Sequence, residues 1–235
     1  MAKHVLLSID WDYFIDCGGL ETLSLKESYA NIYLRWYKEY FQNPGFVFSY
    51  GIHPGMENFW RNLKQRFSID GVCLWISESH KVSYNLCRSL GCRRVVSFDA
   101  HSDLGYGRLI GGRGHIHCAN WLGQLLLCPE VEEAQVVLSP YTAEKPGDFE
   151  ECKKVSFCRP DELRMEEDET VAGIHICRSG AWTPPWYDAQ LTRFIELSGI
   201  KRIKGTLKER PWKPAILDYS QIIETMFLMN APHAS

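Results

Sequence analysis

Short apolar runs alternate with longer amphipathic segments along this chain. The apolar runs predict buried strands, and they lie at 5–9, 72–76, 95–98, 134–138 and 174–177. The segments between them predict helices, and they lie at 25–40, 55–67, 82–90, 117–127 and 185–197. Strands that alternate with helices in this way predict an α/β fold with a mostly parallel sheet.

Two segments depart from this pattern. Residues 140–170 are polar and predict a surface excursion with one short strand, and residues 200–235 predict a C-terminal tail. The tail begins with basic residues and continues into an apolar patch at 222–228, which we expect to dock on the core. A length of 235 residues suits one domain, so we expect 1–235 to form a single catalytic unit.

Charge and cysteine content exclude several classes of partner and site. The 26 Lys and Arg against 29 Asp and Glu give a net charge of -3 without long blocks of one sign, which does not indicate a nucleic-acid partner. No apolar stretch approaches the roughly 20 residues that span a bilayer, so no membrane partner is expected. Nine cysteines without CxxC spacing and an N-terminus unlike a signal peptide predict a reduced, cytoplasmic protein.

Acidic and histidine side chains follow the three strongest predicted strands. Asp10 and Asp12 end the first, His80 follows the second, and the segment 99–103 (Asp-Ala-His-Ser-Asp) ends the third. The carboxyl ends of parallel strands meet at one edge of a sheet, so four carboxylates and two imidazoles are expected in one cleft. Carboxylates this close raise one another's pKa values, and bound cations would neutralise their charge.

The donor set predicts which metal the cleft would hold. Carboxylates mixed with histidines suit Mn²⁺, and suit Fe²⁺, Co²⁺ or Zn²⁺ less well. Six ligating side chains are too many for one ion that also holds water. They suit two ions about 3.5–4 Å apart with bridging carboxylates. Taken alone, a pair such as Asp10 and Asp12 is most often a solvated strand end, and a single histidine such as His80 is more often a hydrogen-bonded loop residue.

Three segments together resemble the arginase/ureohydrolase superfamily. Residues 99–103 are similar to its DAHxD segment, residues 8–12 to its SxDxD segment, and Ser79-His80 to its GGDHS-type segment. The resemblance implies two manganese ions in a three-layer arginase/deacetylase-like fold. By the same resemblance, one ion is held by His80 and Asp103 and the other by His101 and Asp12, while Asp99 and Asp10 bridge the two.

The order of these segments departs from ordinary arginases. The SxDxD segment comes first here, as in a circularly permuted chain, the Asp-Pro that usually follows it is absent, and residues 77–79 replace Gly-Gly-Asp. These features resemble the compact, permuted peptide arginases of ribosomally synthesised peptide pathways. Those enzymes convert arginine side chains of a precursor peptide into ornithine and urea. The match covers roughly residues 5–127.

The same resemblance suggests two catalytic residues. Residues 114–120 (Gly-His-Ile-His-Cys-Ala-Asn) are similar to the GNLHG segment of arginases, and His117 fits the proton-shuttling position better than His115. Asp103 would pass a proton to the leaving amine. The alternative is that one of these histidines only caps the following helix.

Substrate contacts are less well defined by the sequence. A guanidinium group pairs best with a carboxylate, and Glu78, Asp16, Glu21 and Asp188 are all candidates. Trp182 and Trp186 follow the last clear strand and would either wall the cleft or pack under a loop. His115 is a further candidate for substrate contact.

Other functions remain open at this point. The same chemistry would serve free arginine, agmatine or a related guanidine, and a deacetylase-like amidohydrolase would use a similar fold with one zinc. A binding module stabilised by metal is the non-enzymatic alternative. Arginases often assemble, so a homo-oligomer is a candidate state.

Overall fold

A parallel sheet of seven strands forms the centre of the fold. The computed structural model describes residues 2–18, 26–105, 115–149, 152–216 and 218–230. The strands are Lys3–Asp10 (β1), Ile15–Asp16 (β2), Gly51–Ile52 (β3), Leu74–Ser77 (β4), Cys92–Asp99 (β5), Glu133–Leu138 (β6), Val155–Phe157 (β7), Glu169–Cys177 (β8) and Ile203–Lys204 (β9). The sheet order is β7-β6-β5-β1-β8-β4-β9, and β2 and β3 form a separate antiparallel pair.

Helices cover both faces of this sheet. They are Arg35–Gln42 (α1), Phe59–Lys64 (α2), Val82–Ser89 (α3), Trp121–Leu126 (α4), Asp188–Leu197 (α5) and Tyr219–Asn230 (α6). Alternate residues of a strand face opposite sides, so Leu7 of β1 packs with residues of α1, α2 and α5, whereas Leu6 packs with residues of α3 and α4. The result is a three-layer α/β/α arrangement, as the alternating pattern predicted.

All five strands predicted from the apolar runs are present in this sheet. Four of the five predicted helices begin with short turns of other geometry, and α3 is the exception. Ala30–Leu34 is a π-helical turn before α1, and Pro54–Asn58 is a 3₁₀ turn before α2. Among the described residues, no helix combines the length and apolar character needed to cross a membrane.

The two segments outside the regular pattern complete the edges of the sheet. Within 140–170, β7 pairs with β6, while Phe149 and Leu163 are buried in the core. In the tail, β9 pairs with β4 at the opposite edge. The helix α6 packs against α1 and buries Ile222, whereas Phe227 of the same apolar patch is 74% exposed.

Candidate metal centre

The carboxyl ends of the central strands bring the predicted ligands to one place. Asp10, the last residue of β1, pairs with Cys177 of β8, and Ser77 of β4 pairs with the same residue. On the other side of β1, Ile9 pairs with Phe98 of β5. The strands therefore end at nearly the same level. Asp10 and Asp99 are buried where a strand ends, and His80 is buried three residues beyond β4.

One group of ligand atoms surrounds His80. Its Nδ1 atom lies 2.9 Å from Oδ2 of Asp99, 2.9 Å from Oδ2 of Asp103 and 3.3 Å from Oδ2 of Asp10. The imidazole is only 1% exposed. Such a set of one nitrogen and several carboxylate oxygens can hold a divalent ion.

A second group lies around His101 and shares a carboxylate with the first. The Nδ1 atom of His101 lies 3.0 Å from Oδ2 of Asp12 and 3.6 Å from Oδ1 of Asp99. Asp99 thus belongs to both groups. Its Oδ2 atom lies in the group around His80, and its Oδ1 atom lies in the group around His101. We refer to the six ligands as the metal-ligand cluster: Asp10, Asp12, His80, Asp99, His101 and Asp103.

Asp10 lies with the His80 group. Its Oδ1 atom accepts a hydrogen bond from the backbone N–H of Asp12, at 3.1 Å, and its Oδ2 atom accepts one from Oγ of Ser179, at 2.5 Å. Among the described residues it does not join the second group of ligand atoms. A bridging role for Asp10 stays a prediction.

Two buried atoms of the cluster have no hydrogen-bond partner among the described residues. They are Nδ1 of His80 and Oδ2 of Asp99, which are close to each other but not aligned for a hydrogen bond. Buried polar atoms without a partner cost stability, so most proteins satisfy them. A cation between the two atoms would satisfy both, and the residues present therefore fit a divalent ion.

The electrostatics of the cluster point the same way. Burial, followed by repulsion from Asp12 and Asp99, raises the pKa of Asp10 well above its usual range. Burial and the charge of Asp99 raise the pKa of Asp103 to about 6. Burial alone would raise the pKa of Asp12, but the charge and the hydrogen bond of His101 outweigh burial and lower that pKa below its ordinary value. Burial alone would lower the pKa of His80, but the carboxylates of Asp103 and Asp99 outweigh it and raise that pKa well above the ordinary value.

The backbone is strained at two residues, the ligand Asp103 and Ser179, which donates to the ligand Asp10. Asp103 and Ser179 have φ values of 52° and 48°, in the left-handed region that residues other than glycine rarely adopt. Asp103 is held there by Nε1–H of Trp121, which donates to its Oδ2 at 2.5 Å. Its carbonyl accepts from Gly123, where a Cβ atom would lie 2.3 Å from the oxygen of Leu104. Glycine is required at that close approach.

The two predicted histidines beyond this loop are exposed. His117 precedes α4, and its backbone N–H donates to Oδ1 of Asn120, at 2.8 Å, as a helix cap would. The N–H of Gly105 donates to the carbonyl of Ala119, which places this segment next to the Asp103 loop. No contact between the imidazoles of His115 or His117 and the cluster occurs among the described residues. Residues 106–114, which precede these histidines, lie outside the described residues.

Two of the predicted guanidinium-binding carboxylates are occupied by the chain's own arginines. Glu78 accepts hydrogen bonds from Arg178, with Nε–Oε2 at 3.0 Å and Nη2–Oε2 at 2.5 Å. Asp188 accepts from Arg178 Nη1 at 3.0 Å and from Nε of Arg210 at 3.0 Å. Both carboxylates are therefore paired within the chain, while their side chains stay 26% and 23% exposed, and a substrate contact by Glu78 or Asp188 stays a prediction. We call these four residues the arginine cluster.

The remaining substrate candidates divide between packing and open positions. Trp186 packs with Trp36, Phe46 and Tyr50, so the packing interpretation holds for it. Trp182 is half-buried, and its backbone N–H donates to the carbonyl of Ser179, in the turn beside the cluster. The side chain of Asp16 accepts from the N–H of Gly18, and Glu21 lies outside the described residues.

A carboxylate that the sequence analysis did not single out lies beside the cluster. Oε2 of Glu27 accepts a hydrogen bond from Oγ of Ser79, at 2.6 Å, next to the ligand His80. Its Oε1 atom is buried and has no hydrogen-bond partner among the described residues. Burial raises the pKa of Glu27, while the hydrogen bond from Ser79 and the charge of Lys81 oppose this shift. No sequence motif surrounds Glu27, so only the fold reveals it.

Comparison with protein-family models, with curated proteins and with solved structures found no match for this chain.

Proposed function

We propose that this protein is a binuclear manganese hydrolase that cleaves the guanidino group of arginine side chains in a peptide, giving ornithine and urea. The observation that carries the proposal is the shared carboxylate of Asp99, which belongs to two adjacent ligand groups. Two ions bridged by a carboxylate are the arrangement that activates water for attack on an unreactive carbon. The ligand residues and their spacing within the three segments that resemble ureohydrolases support the same reaction.

The donor set favours manganese. Four carboxylates and two imidazoles form a mixed, mainly hard set of ligands without thiolates. His80 and Asp103 would hold one ion, His101 and Asp12 the other, and Asp99 both. When bound, the ions would lower the pKa of a water molecule and stabilise negative charge on the reacting group.

Asp103 is suited to moving the proton. It is buried beside His80, and Trp121 fixes its Oδ2 atom. A carboxylate held in a fixed position next to the reacting groups can accept a proton from one and donate it to the other. In this proposal Asp103 takes the proton of the attacking water and passes it to the leaving amine. His117, exposed at the neighbouring segment, relays protons to solvent.

Glu27 is suited to holding the substrate guanidinium. Its buried Oε1 atom lacks a partner among the described residues, whereas Glu78 and Asp188 already pair with arginines. A guanidinium would pair with this carboxylate and orient the reacting carbon toward the ions. Close to Glu27, Tyr29 is 43% exposed and stacks on Tyr33 with ring centroids 4.6 Å apart. An exposed aromatic rim favours a peptide over a free amino acid.

The free cysteines fit a cytoplasmic location. None of the nine cysteines forms a disulfide, and four of them are buried. Small apolar side chains of this kind are typical of proteins kept in a reducing compartment.

The proposal is tested by urea release in the presence of Mn²⁺. Peptides that contain arginine are compared with free arginine and agmatine, with the Asp99→Ala variant as the control. We expect urea from the peptides, with a mass loss of one CH₂N₂ unit for each arginine converted. Urea only from free arginine or agmatine would move the substrate to a small guanidine. No urea from any of these would overturn guanidine hydrolysis.

A deacetylase-like amidohydrolase is the second candidate function. Such enzymes generally use one zinc ion, so one of the two ligand groups would have no role in that chemistry. The pair of groups therefore favours the ureohydrolase. Release of acetate from acetylated lysine peptides, without urea from guanidines, would reverse this order.

A further inference from the structure

A line of buried hydrogen bonds runs behind His80, on the side away from the carboxylates. Nε2 of His80 lies 2.7 Å from Oγ of Ser8, and that oxygen lies 2.6 Å from Oγ of Ser83. Oγ of Ser83 lies 2.6 Å from Nδ1 of His175, in the middle of β8. Ser8, Ser83 and His175 are completely buried. No role for this line follows from the metal-ligand cluster itself.

The far end of the line fixes its direction. Nε2 of His175 lies 2.8 Å from Oγ of Ser77, and that hydroxyl donates to the carbonyl oxygen of Ser79, at 2.9 Å. A carbonyl oxygen can only accept, and a serine hydroxyl has one proton. Since Ser77 uses its proton on Ser79, its oxygen must accept from His175. The proton of His175 therefore lies on Nε2.

His175 is neutral, so its other nitrogen is an acceptor. It is fully buried on a central strand, and its two ring nitrogens contact hydroxyl groups rather than carboxylates. Burial lowers the pKa of His175 well below its usual value. With one proton on Nε2, Nδ1 accepts from the hydroxyl of Ser83.

The remaining protons follow step by step. Ser83 uses its proton on His175, so its oxygen accepts from Ser8. Ser8 then has no proton left for His80 and accepts from Nε2–H of that imidazole. The proton that His80 retains is therefore on Nε2. Its Nδ1 atom, the one beside Asp99 and Asp103, is left to bind a metal through its lone pair.

We propose that His175 is a positioning residue, which acts through Ser83 and Ser8 to hold the proton of His80 on Nε2 and so present Nδ1 to the metal. The inference rests on the metal-binding part of the proposed function. Outer partners of metal-binding histidines commonly set tautomer and ring orientation, and their loss typically costs about 10- to 100-fold in metal affinity. Here the outer partner, His175, lies three hydrogen bonds from His80. The line continues through Ser77 and ends at the backbone carbonyl of Ser79.

The direct test is imidazole nitrogen NMR on the metal-free protein labelled with ¹⁵N-histidine. His175→Gln assigns the His175 signals by their loss. We expect a neutral His175 with its proton on Nε2 and an unprotonated Nδ1. A proton on Nδ1 of His175 would reverse the line and overturn the proposal, and so would an imidazolium.

Variants test the consequence for metal binding by calorimetry with Mn²⁺. Ser83→Ala breaks the line without touching a ligand, and we expect affinity for one of the two ions to fall about 10-fold or more. Ser83→Thr retains a hydroxyl and should restore most of it. Ser198→Ala removes another buried serine, whose Oγ donates to the carbonyl of Ile195, and serves as the matched control. Equal affinities for Ser83→Ala, Ser198→Ala and the unmodified protein would overturn the proposal.

The outcomes separate this inference from the proposed reaction. The expected tautomer and affinity loss without urea from any guanidine would support the role of His175 and overturn the hydrolase. Urea release together with the opposite tautomer of His175 would support the hydrolase and overturn the role of His175. If Ser83→Ala does not fold, the tautomer of His175 in the unmodified protein still decides.

Discussion

Two clusters of buried charge lie next to each other at the carboxyl edge of the sheet, and they are neutralised in different ways. In the arginine cluster, Arg178 and Arg210 balance Glu78 and Asp188, two positive charges against two negative. In the metal-ligand cluster, four carboxylates face two histidines and no arginine or lysine among the described ion pairs. The first cluster is complete as a structure. The second has the surplus of negative charge that divalent ions would neutralise.

The turn at 178–180 joins the two clusters. Arg178 belongs to the arginine cluster, and Ser179 donates to Asp10 of the metal-ligand cluster. The N–H of Gly180 donates to Oε1 of Glu78 at 2.8 Å, and a Cβ atom there would lie 2.3 Å from that oxygen. The arginine cluster therefore positions the turn that supports Asp10. The arginine cluster should therefore control folding stability, and the metal-ligand cluster should control metal binding.

The largest effect is expected from Asp99→Ala. Asp99 contributes to both ligand groups, so its loss should abolish high-affinity binding of both ions and any activity that depends on them. Calorimetric titration with Mn²⁺ measures the number of ions bound. Retention of both ions by the variant would contradict the shared role of Asp99. The variant also removes one of four closely spaced carboxylates, so like-charge repulsion in the metal-free protein should decrease.

The next effect is on stability, from Arg210→Met. The guanidinium group is buried, pairs with Asp188, and donates to the carbonyls of Gly180 and Thr183 at 2.7 and 2.9 Å. Removing one partner of a fully buried pair typically costs about 3–5 kcal/mol, and because Asp188 is 23% exposed and keeps Arg178, we expect a loss near the low end of that range. Denaturant unfolding of the metal-free protein measures this loss.

The matched control is Arg193→Met. Arg193 pairs with Glu57 through two hydrogen bonds of 2.8 and 2.9 Å, but both side chains lie at the surface. Its loss should be much smaller, because exposed pairs contribute little to stability. Equal losses for the two variants would remove the distinction between a buried cluster and a surface ion pair.

Mn²⁺ should stabilise the fold through the metal-ligand cluster alone. A ligand at 100 times its dissociation constant adds about 2.7 kcal/mol to the free energy of unfolding. We expect the melting temperature to rise with Mn²⁺ and to fall again with a chelator. Arg210→Met should keep this rise from its lower starting point, whereas Asp99→Ala should lose it. A rise of the same size in Asp99→Ala would place the stabilising ion elsewhere.

The smallest effect is a pH dependence that reverses with metal. Without metal, the raised pKa of Asp103, about 6 against an ordinary 3.8, costs stability above pH 6, and the cost is relieved as the pH falls. His80 and His101, whose pKa values are raised, contribute stability that is full below 6.5 and lost as the pH rises through the raised values. The metal-free protein should therefore gain stability between pH 7 and 5.5. With Mn²⁺, protons displace the ions, so stability should fall over the same range.

Thermal unfolding at a series of pH values, with Mn²⁺ and with chelator, measures both slopes. Equal slopes in the two conditions would mean that the ions do not compete with these protons.

The ligands were predictable because each follows a strong apolar run. Asp10, Asp99 and His80 follow or end such runs, and parallel strands bring their ends together without further information. The arginine cluster was not predictable in this way. Arg210 reaches Asp188 from a segment without regular structure, and no periodic pattern records such a contact.

His175 and Glu27 show the same limit. His175 interrupts an apolar strand by one polar residue, which is equally typical of a histidine satisfied within the core. Its meaning depends on Ser8 and Ser83, which are distant in sequence. Glu27 precedes a helical turn and resembles any solvated acidic residue until the fold places it beside Ser79.

The most direct test of the central claim is the number of Mn²⁺ ions that the unmodified protein binds at saturation, together with their electron paramagnetic resonance spectrum. We predict two ions for each chain and a spectrum of two coupled ions, because Asp99 belongs to both groups. One ion, or two without coupling, would contradict a binuclear centre at the ends of β1 and β5.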